Sequence, residues 1–480
     1  MTTTPDWLIG ASRGPRDISG ASARVFDPAT GEAVGSVALD DVAGVELAVA
    51  AATEAFPGWA ATPATVRARR LTALARAFEA NADELAASIT ADNGKTLVDA
   101  RAELARAVEH LEAAATAPAL LTGEQVLDIL PGLDASVIRE PLGPVAVVPP
   151  FNFPIMTGLI YWSWALACGN TVVVKPSEQA PYTLARVGEL ALEVGFPPGA
   201  FNVVHGGRAV VEALCDHPDI AAISLVGSSV TAAAVYARAS AAGKRVHAAG
   251  GARNPIVVLP DADPVATAKA IAASAFTMGG QRCLSGSVVV TVGERHEALV
   301  TELARFAAGL TTGPGADAST DVPPLVSRAA VEAARDAVDA AEVAGASVLV
   351  DGREAIGDGG FFFGPTVLDG VPADSPLLSS ETFAPLASLV SVDTLDDAIA
   401  LVNGSPFGNA ACIFTADGGT AREFTRRADV GNVGVNVSVA APTATIAFGG
   451  RRASFRGVIH SQGRHAVEFY TDVKSVSTRW

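Results

Sequence analysis

The spacing of hydrophobic and polar positions changes several times along this chain. Ala33 to Leu39 alternates as a strand does, and Val42 to Ala55 turns to helical spacing. From Arg67 to Thr90 the apolar positions again recur at helical spacing, with Leu71, Leu74, Ala75 and Phe78 on one face. This predicts a single helix ended by Asp92 and the Asn93-Gly94 pair. Leu97 to Ala115 predicts a third helix, in which Arg106 lies between Glu103 and Glu109. Residues 117–141 lose the period and carry short alternating pieces from Leu127 to Arg139, and Val467 to Trp480 alternates in the same way. These stretches predict an extended hairpin and an extended tail. They are either a protruding assembly device or edge strands of a larger sheet.

From Pro144 the pattern becomes α/β. Val145 to Val148, Thr171 to Val174, Phe201 to Val204 and Ala222 to Val226 read as buried strands, each followed by a helical stretch. Lys244 to His247 and Ile256 to Leu259 continue the run. Strands alternating with helices give parallel pairing and a doubly wound sheet, which binds ligands at the carboxyl ends of its strands. Lys175, Glu178 and Ser228 fall at such ends. Residues 260–450 repeat the α/β habit as a second unit, with helices at 263–276, 295–309, 328–344 and 394–402 and strands at 288–292, Ser347 to Val350, Ala411 to Phe414 and Val433 to Val437.

Length and composition narrow the function classes. The chain has 480 residues, more than one ordinary core holds. Half of its residues are hydrophobic and 18% are charged, as in a folded globular protein. With 34 basic against 51 acidic residues its net charge is −17, and no basic cluster points to nucleic acid. Four cysteines without metal-type spacing predict a reducing compartment and no structural zinc. The N-terminal MTTTPDWLIG lacks a signal-peptide pattern, and no uninterrupted apolar run reaches membrane-spanning length, so a cytoplasmic protein is expected.

The candidate chemistry centres on Met278-Gly279-Gly280-Gln281-Arg282-Cys283-Leu284-Ser285-Gly286. A helical pattern runs into this stretch and a strand leaves it, so Cys283 is presented on a connection. The neighbouring Arg282 cation favours thiolate, the nucleophilic form. Most free cysteines are small buried hydrophobes, which is the reading of Cys168, Cys215 and Cys412. No G-x-G-x-x-G follows any strand. Gly227-Ser228 at a helix start can take a pyrophosphate, although a Ser there is more often an N-cap. Lys175 and Glu178 can serve ribose hydroxyls, although a Lys-x-x-Glu pair alone is usually a solvated turn.

Seven stretches together resemble the aldehyde dehydrogenase superfamily over nearly the whole chain. They are Pro150-Phe151-Asn152-Phe153-Pro154, Lys175-Pro176-Ser177-Glu178, Val226-Gly227-Ser228, Gly250-Gly251, Gly280-Gln281-Arg282-Cys283, Gly364-Pro365-Thr366 and Glu381-Thr382-Phe383-Ala384-Pro385. The resemblance implies a Rossmann-type NAD-binding domain in 1–120 and 142–253, an α/β catalytic domain in 254–450, and a small β oligomerisation element from 121–141 and 460–480. It implies that Cys283 attacks the aldehyde carbon and that the Asn152 amide, with the Cys283 N–H, holds the oxyanion. It places Lys175 and Glu178 at the adenosine ribose, Ser228 at the pyrophosphate, and Glu381 at the nicotinamide ribose with Phe383 near the ring. Pro149, Phe151 and Gly250 touch NAD mainly through backbone.

Hydrolytic members of the superfamily carry a water-activating Glu two residues before the Gly-Gly pair, and here that position is Ala248. Losing a general base typically costs a hundredfold or more in rate, so a thiol becomes the expected acyl acceptor. This absence, the Arg282-Cys283 pair, the ending Phe469-Tyr470-Thr471 … Lys474-Ser475-Val476-Ser477-Thr478-Arg479-Trp480, and the stretch Glu103-Leu104-Ala105-Arg106-Ala107-Val108-Glu109 resemble the coenzyme-A-acylating branch, the methylmalonate-semialdehyde dehydrogenases. The resemblance then implies a substrate carboxylate clamped by Arg106 and Arg282 and coenzyme A as co-substrate. It also implies a homo-oligomer, tetramer or dimer. The surface ion-pair reading of Arg106 stays open beside the clamp. Ala441 to Phe448, Arg451-Arg452, Ser285 and Gly286 depart from the branch and bear on substrate size if they line the pocket. A hydrolytic enzyme using another carboxylate, and a non-catalytic relative that kept the fold, are the alternatives.

Overall fold

The computed structural model describes residues 7–10, 12–14, 21–354 and 359–480. Two sheets organise them. In the first, five parallel strands run in the spatial order Phe201–Val203, Thr171–Val174, Pro144–Val148, Ala222–Val226, Arg245–Ala249, and antiparallel strands Trp7–Ile9 and Phe455–Arg456 border them. The chain winds outward from Pro144–Val148 in one direction and resumes on its other side with Ala222–Val226. Such a switch point leaves a crevice at the strands' carboxyl ends. The central strands Pro144–Val148 and Thr171–Val174 are buried along their whole length because helices cover both faces, which is why they read as unbroken apolar runs.

The second sheet runs Ser347–Val350, Thr366–Asp369, Leu386–Val392, Gly286–Val292, Asn254–Val258, Ala410–Phe414, Asn432–Val435 and is parallel except at its first strand. The hairpin Glu124–Leu130 and Leu133–Pro141 joins the C-terminal strand Thr471–Arg479 in a separate three-stranded antiparallel sheet, so these are not edge strands of either large sheet. No helix among the described residues is long and apolar enough to cross a membrane.

Three sequence expectations change. The helix expected over 67–90 is two, Ala64–Ala80 and Ala82–Asn93, because Asn81 leaves helical geometry at φ −110°, ψ 22°. The helix from Val42 continues through Pro57 to Ala61. The tail is extended only from Thr471. Residues Gly463–Tyr470 form a helix, with Ala466, Val467 and Tyr470 buried on the core of the first sheet. The expected end of the second helix does hold, since Gly94 closes Ala82–Asn93 in the left-handed region at φ 81°.

Candidate active site

Three consecutive residues with positive φ, Met278 at 55°, Gly279 at 63° and Gly280 at 68°, turn the chain from helix Pro264–Ala275 toward strand Gly286–Val292. A side-chain carbon at Gly280 would overlap the Ala384 carbonyl, so the turn lies flat against the Glu381-to-Pro385 stretch. Cys283 follows it, half-buried. Its carbonyl accepts from Asn254 Nδ2 at 2.9 Å and Asn409 Nδ2 at 2.7 Å. The Asn152 amide donates to the Gln281 carbonyl at 2.8 Å, tying the loop after strand Pro144–Val148 to the cysteine turn. Burial pushes the Cys283 thiol up to about 11; the Arg282 charge draws it down and Glu381 raises it further. The neighbouring cation is therefore present, but desolvation outweighs it. Cys168, Cys215 and Cys412 are buried.

Cys283 lies on the wall of two cavities. The larger, about 1140 Å³, occupies the switch point of the first sheet and reaches Pro149, Phe151, Lys175, Glu178, Ser228, Gly250, Glu381 and Phe383. Lys175 is buried and donates to Glu178 at 3.1 Å and to the Gly206 carbonyl at 2.8 Å. Ser228 is the N-cap of helix Ser229–Ala241, accepting from the Thr231 N–H, and it also faces the cavity. The first N–H groups of a helix have no intrahelical acceptors, so this end favours an anion. Glu381 accepts from the Ala252 N–H at 3.0 Å, and burial raises its pKa. Phe383, at φ 46°, meets Phe151 edge to face at 5.9 Å.

The smaller cavity, about 330 Å³, lies on the other side of Cys283. Helix Leu97–Ala114 lends it Asp99, Glu103, Arg106 and His110; Arg282, Ala441, Pro442 and Phe448 also line it. Arg106 pairs with Glu109 and donates to the Pro442 carbonyl at 2.9 Å, so the ion-pair and cavity readings of this residue hold together. Arg282 donates to Thr277 Oγ1 at 3.0 Å. Ser285 and Gly286 instead bond Ser274 beneath the turn, and Arg451 and Arg452 pair with Asp429. Of the departing positions, those in 441–448 are the ones that shape the cavity. Ala248 is fully buried in the core of the first sheet.

With this geometry in place, residues 17–476 match the Aldehyde dehydrogenase family. The chain belongs to that family. It is 42% identical over 464 residues to malonate-semialdehyde dehydrogenase 2 of Geobacillus kaustophilus (strain HTA426), covering 96% of each chain. It is 40% identical over 466 residues to malonate-semialdehyde dehydrogenase of Pseudomonas aeruginosa, covering 96% of this chain and 94% of the relative. The crystal structure of methylmalonate-semialdehyde dehydrogenase from Oceanimonas doudoroffii superposes with a TM-score of 0.97 at 39% identity, over 100% of this chain and 99% of that one. A Sinorhizobium meliloti 1021 protein complexed with NAD superposes with a TM-score of 0.98 at 36% identity, over 100% and 98%.

In this aldehyde dehydrogenase every residue given a catalytic, substrate-binding or cofactor-binding role from the sequence borders one of the two cavities. The supports beneath them were missed. Lys95 donates to Glu103 at 2.6 Å and to the Asn152 carbonyl at 2.6 Å, while Glu103 accepts from the Ile155 and Met156 N–H groups at 2.9 and 3.0 Å. Arg253 is buried and bonds Ser287, Thr382, Ser388 and the Leu377 carbonyl, and burial lowers its pKa to about 10. A signal for Glu103 did exist, since it is a charge on the apolar stripe of Ala100, Leu104, Ala107 and Leu111.

Proposed function

We propose that this aldehyde dehydrogenase oxidises malonate semialdehyde or methylmalonate semialdehyde with NAD, releases CO2, and transfers the acyl group to coenzyme A. The observation that carries the reading is the position of Cys283 between a cavity sized for a dinucleotide and a smaller one walled by Arg106 and Arg282. The names of the relatives favour the same substrates. The residues fit NAD. The larger cavity lies at a parallel-sheet switch point, and an acid–base pair and a helix N-terminus face it. Lys175 and Glu178 bind the adenosine ribose, Ser228 caps the helix that meets the pyrophosphate, and Glu381 holds the second ribose. Phe383 packs near the nicotinamide, and Pro149, Phe151 and Gly250 shape the approach through backbone. The Glu178 charge disfavours a 2′-phosphate.

Arg106 and Arg282 bind the substrate carboxylate and aim the aldehyde at Cys283. The thiolate adds to the carbonyl carbon, and the Asn152 amide and Cys283 N–H hold the oxyanion. When bound, NAD supplies the acceptor for the hydride that leaves this carbon. The resulting thioester on Cys283 has a β-carboxylate. Its C–C bond breaks, CO2 departs, and the carbon left behind takes a proton. The thiol of coenzyme A then displaces Cys283, giving acetyl-CoA or propionyl-CoA. A methyl group at Ala248 activates no water, which favours thiolysis over hydrolysis. A hydrolytic reading would use Glu381, the carboxylate whose charge acts on Cys283.

The test is NADH formation from malonate semialdehyde with and without coenzyme A, in the wild type and Arg106→Leu. Steady turnover that needs coenzyme A and collapses in the variant is expected. Steady turnover without coenzyme A would favour the hydrolytic reading. Residues 1–120 with 142–253 and 254–450 serve as the cofactor and catalytic domains of a cytoplasmic protein. The hairpin and the tail mediate a dimer or tetramer, a role that the exposed Val126, Leu127, Ile129 and Leu130 support.

A further inference from the structure

Helix Leu97–Ala114 turns a stripe of polar side chains toward the smaller cavity, and all but one are engaged within the protein. Asp99 accepts from Thr96 Oγ1 at 2.8 Å. Glu103 holds Lys95 and two backbone N–H groups. Arg106 spends its two terminal nitrogens on Glu109 and the Pro442 carbonyl. His110, one turn further along, is 1% exposed, and its Nδ1 has no hydrogen-bond partner. A polar ring atom buried without a partner is rare in a folded protein and calls for an explanation. His110 also lines the cavity beside Arg106, so a ligand that enters there meets the ring.

We propose that His110 is a third carboxylate-binding group of this cavity, donating a ring N–H to the carboxylate that Arg106 faces, and so a determinant of specificity for carboxylated aldehydes. The proposal rests on the preceding reading that the substrate carries a carboxylate. A neutral imidazole has one N–H to give and one acceptor nitrogen. Burial and the Arg106 charge hold the ring neutral, with a pKa of about 3, so it adds no third positive charge beside Arg106 and Arg282. It can therefore orient a carboxylate without tightening the ionic clamp, which matters for a group that must later leave as CO2. The i, i+4 spacing of Arg106 and His110 places both on one helix face, so a single carboxylate can meet both.

The test measures kcat/KM for malonate semialdehyde and for propanal, its uncharged counterpart, with saturating NAD and coenzyme A. The proteins are wild type, His110→Leu, His110→Asn and Arg106→Leu. The ratio of malonate semialdehyde to propanal should fall about tenfold in His110→Leu through KM rather than kcat, the scale of one lost hydrogen bond to a charged group. His110→Asn, which keeps a donor, should recover most of it. If His110→Leu does not fold, His110→Phe is read in its place. An unchanged ratio in His110→Leu, alongside a collapsed one in Arg106→Leu, overturns the role of His110 and leaves the carboxylate reading standing. A wild type without preference for malonate semialdehyde, unaffected by Arg106→Leu, overturns the carboxylate reading itself.

Discussion

Replacing Lys95 with Met should cripple this enzyme without touching a residue that contacts substrate. The Lys95 and Glu103 side chains are 3% and 0% exposed, so solvent does not screen their ion pair. Removing the ammonium deprives Glu103 of a charged hydrogen bond, worth about 1.5–3 kcal/mol, and leaves the Asn152 carbonyl without its donor, about 1–3 kcal/mol more. The sum agrees with the roughly 3–5 kcal/mol expected when one partner of a buried pair is removed. Glu103 keeps the Ile155 and Met156 N–H groups, which places the loss toward the lower end. Lys95→Met/Glu103→Gln removes the stranded charge and should regain part of the stability. Denaturant unfolding followed by tryptophan fluorescence is a suitable assay, because Trp162 and Trp164 are fully buried in the helix that begins at Met156. Activity should stay low in the double variant, because Asn152 is still unanchored. A Lys95→Met protein as stable as wild type, or a double variant less stable than the single, would refute the reasoning.

Two further outcomes follow from the same structure. Gly280→Ala should abolish the cysteine turn, whereas Gly243→Ala, at φ 74° with open space around it, should cost only the left-handed penalty of about 1–2 kcal/mol; soluble yield and thermal denaturation separate the two. His110, His205 and His247 are held by burial at about 3, below the ordinary 6.5, so the unfolded chain takes up these protons first as pH falls. Their contribution to stability is therefore complete above pH 6.5 and lost from there toward pH 3, at up to about 1.4 kcal/mol per pH unit for each ring. A denaturation midpoint that stays flat between pH 7.5 and pH 5 would contradict this, and His205→Asn should flatten the slope.

The parallel strands around the switch point were legible because burial on both faces leaves unbroken apolar runs, as in Pro144–Val148 and Thr171–Val174. Strand Leu386–Val392 was not, because Ser388 and Ser391 interrupt its run; Ser388 is buried with its hydroxyl accepting from Arg253. The break at Asn81 was hidden because Leu71, Leu74 and Phe78 on one side and Leu85 and Ile89 on the other keep helical spacing across it. In the site, Cys283, Asn152 and Glu381 stand in distinctive local stretches. Arg253, Asn254 and Asn409 act through partners far away in the chain, from 29 residues between Asn254 and Cys283 to 156 between Asn254 and Ala410, and Lys95 reaches the Asn152 carbonyl 57 residues on. Local pattern carries no trace of such pairings.

The C-terminal segment imposes an order on biosynthesis. Strand Thr471–Arg479 pairs with Leu133–Pro141 along its whole length, Asn170 bonds the Tyr470 carbonyl 300 residues away, and Val467, Phe469 and Tyr470 complete a core otherwise built mainly from residues 8–222. At about 5–20 residues per second, a ribosome that has passed Ala222 needs roughly 12–50 s more to reach Tyr470. Throughout that interval the nascent first sheet waits with an open apolar face and an unpaired hairpin strand. Chaperone binding during translation is then expected to raise its soluble yield.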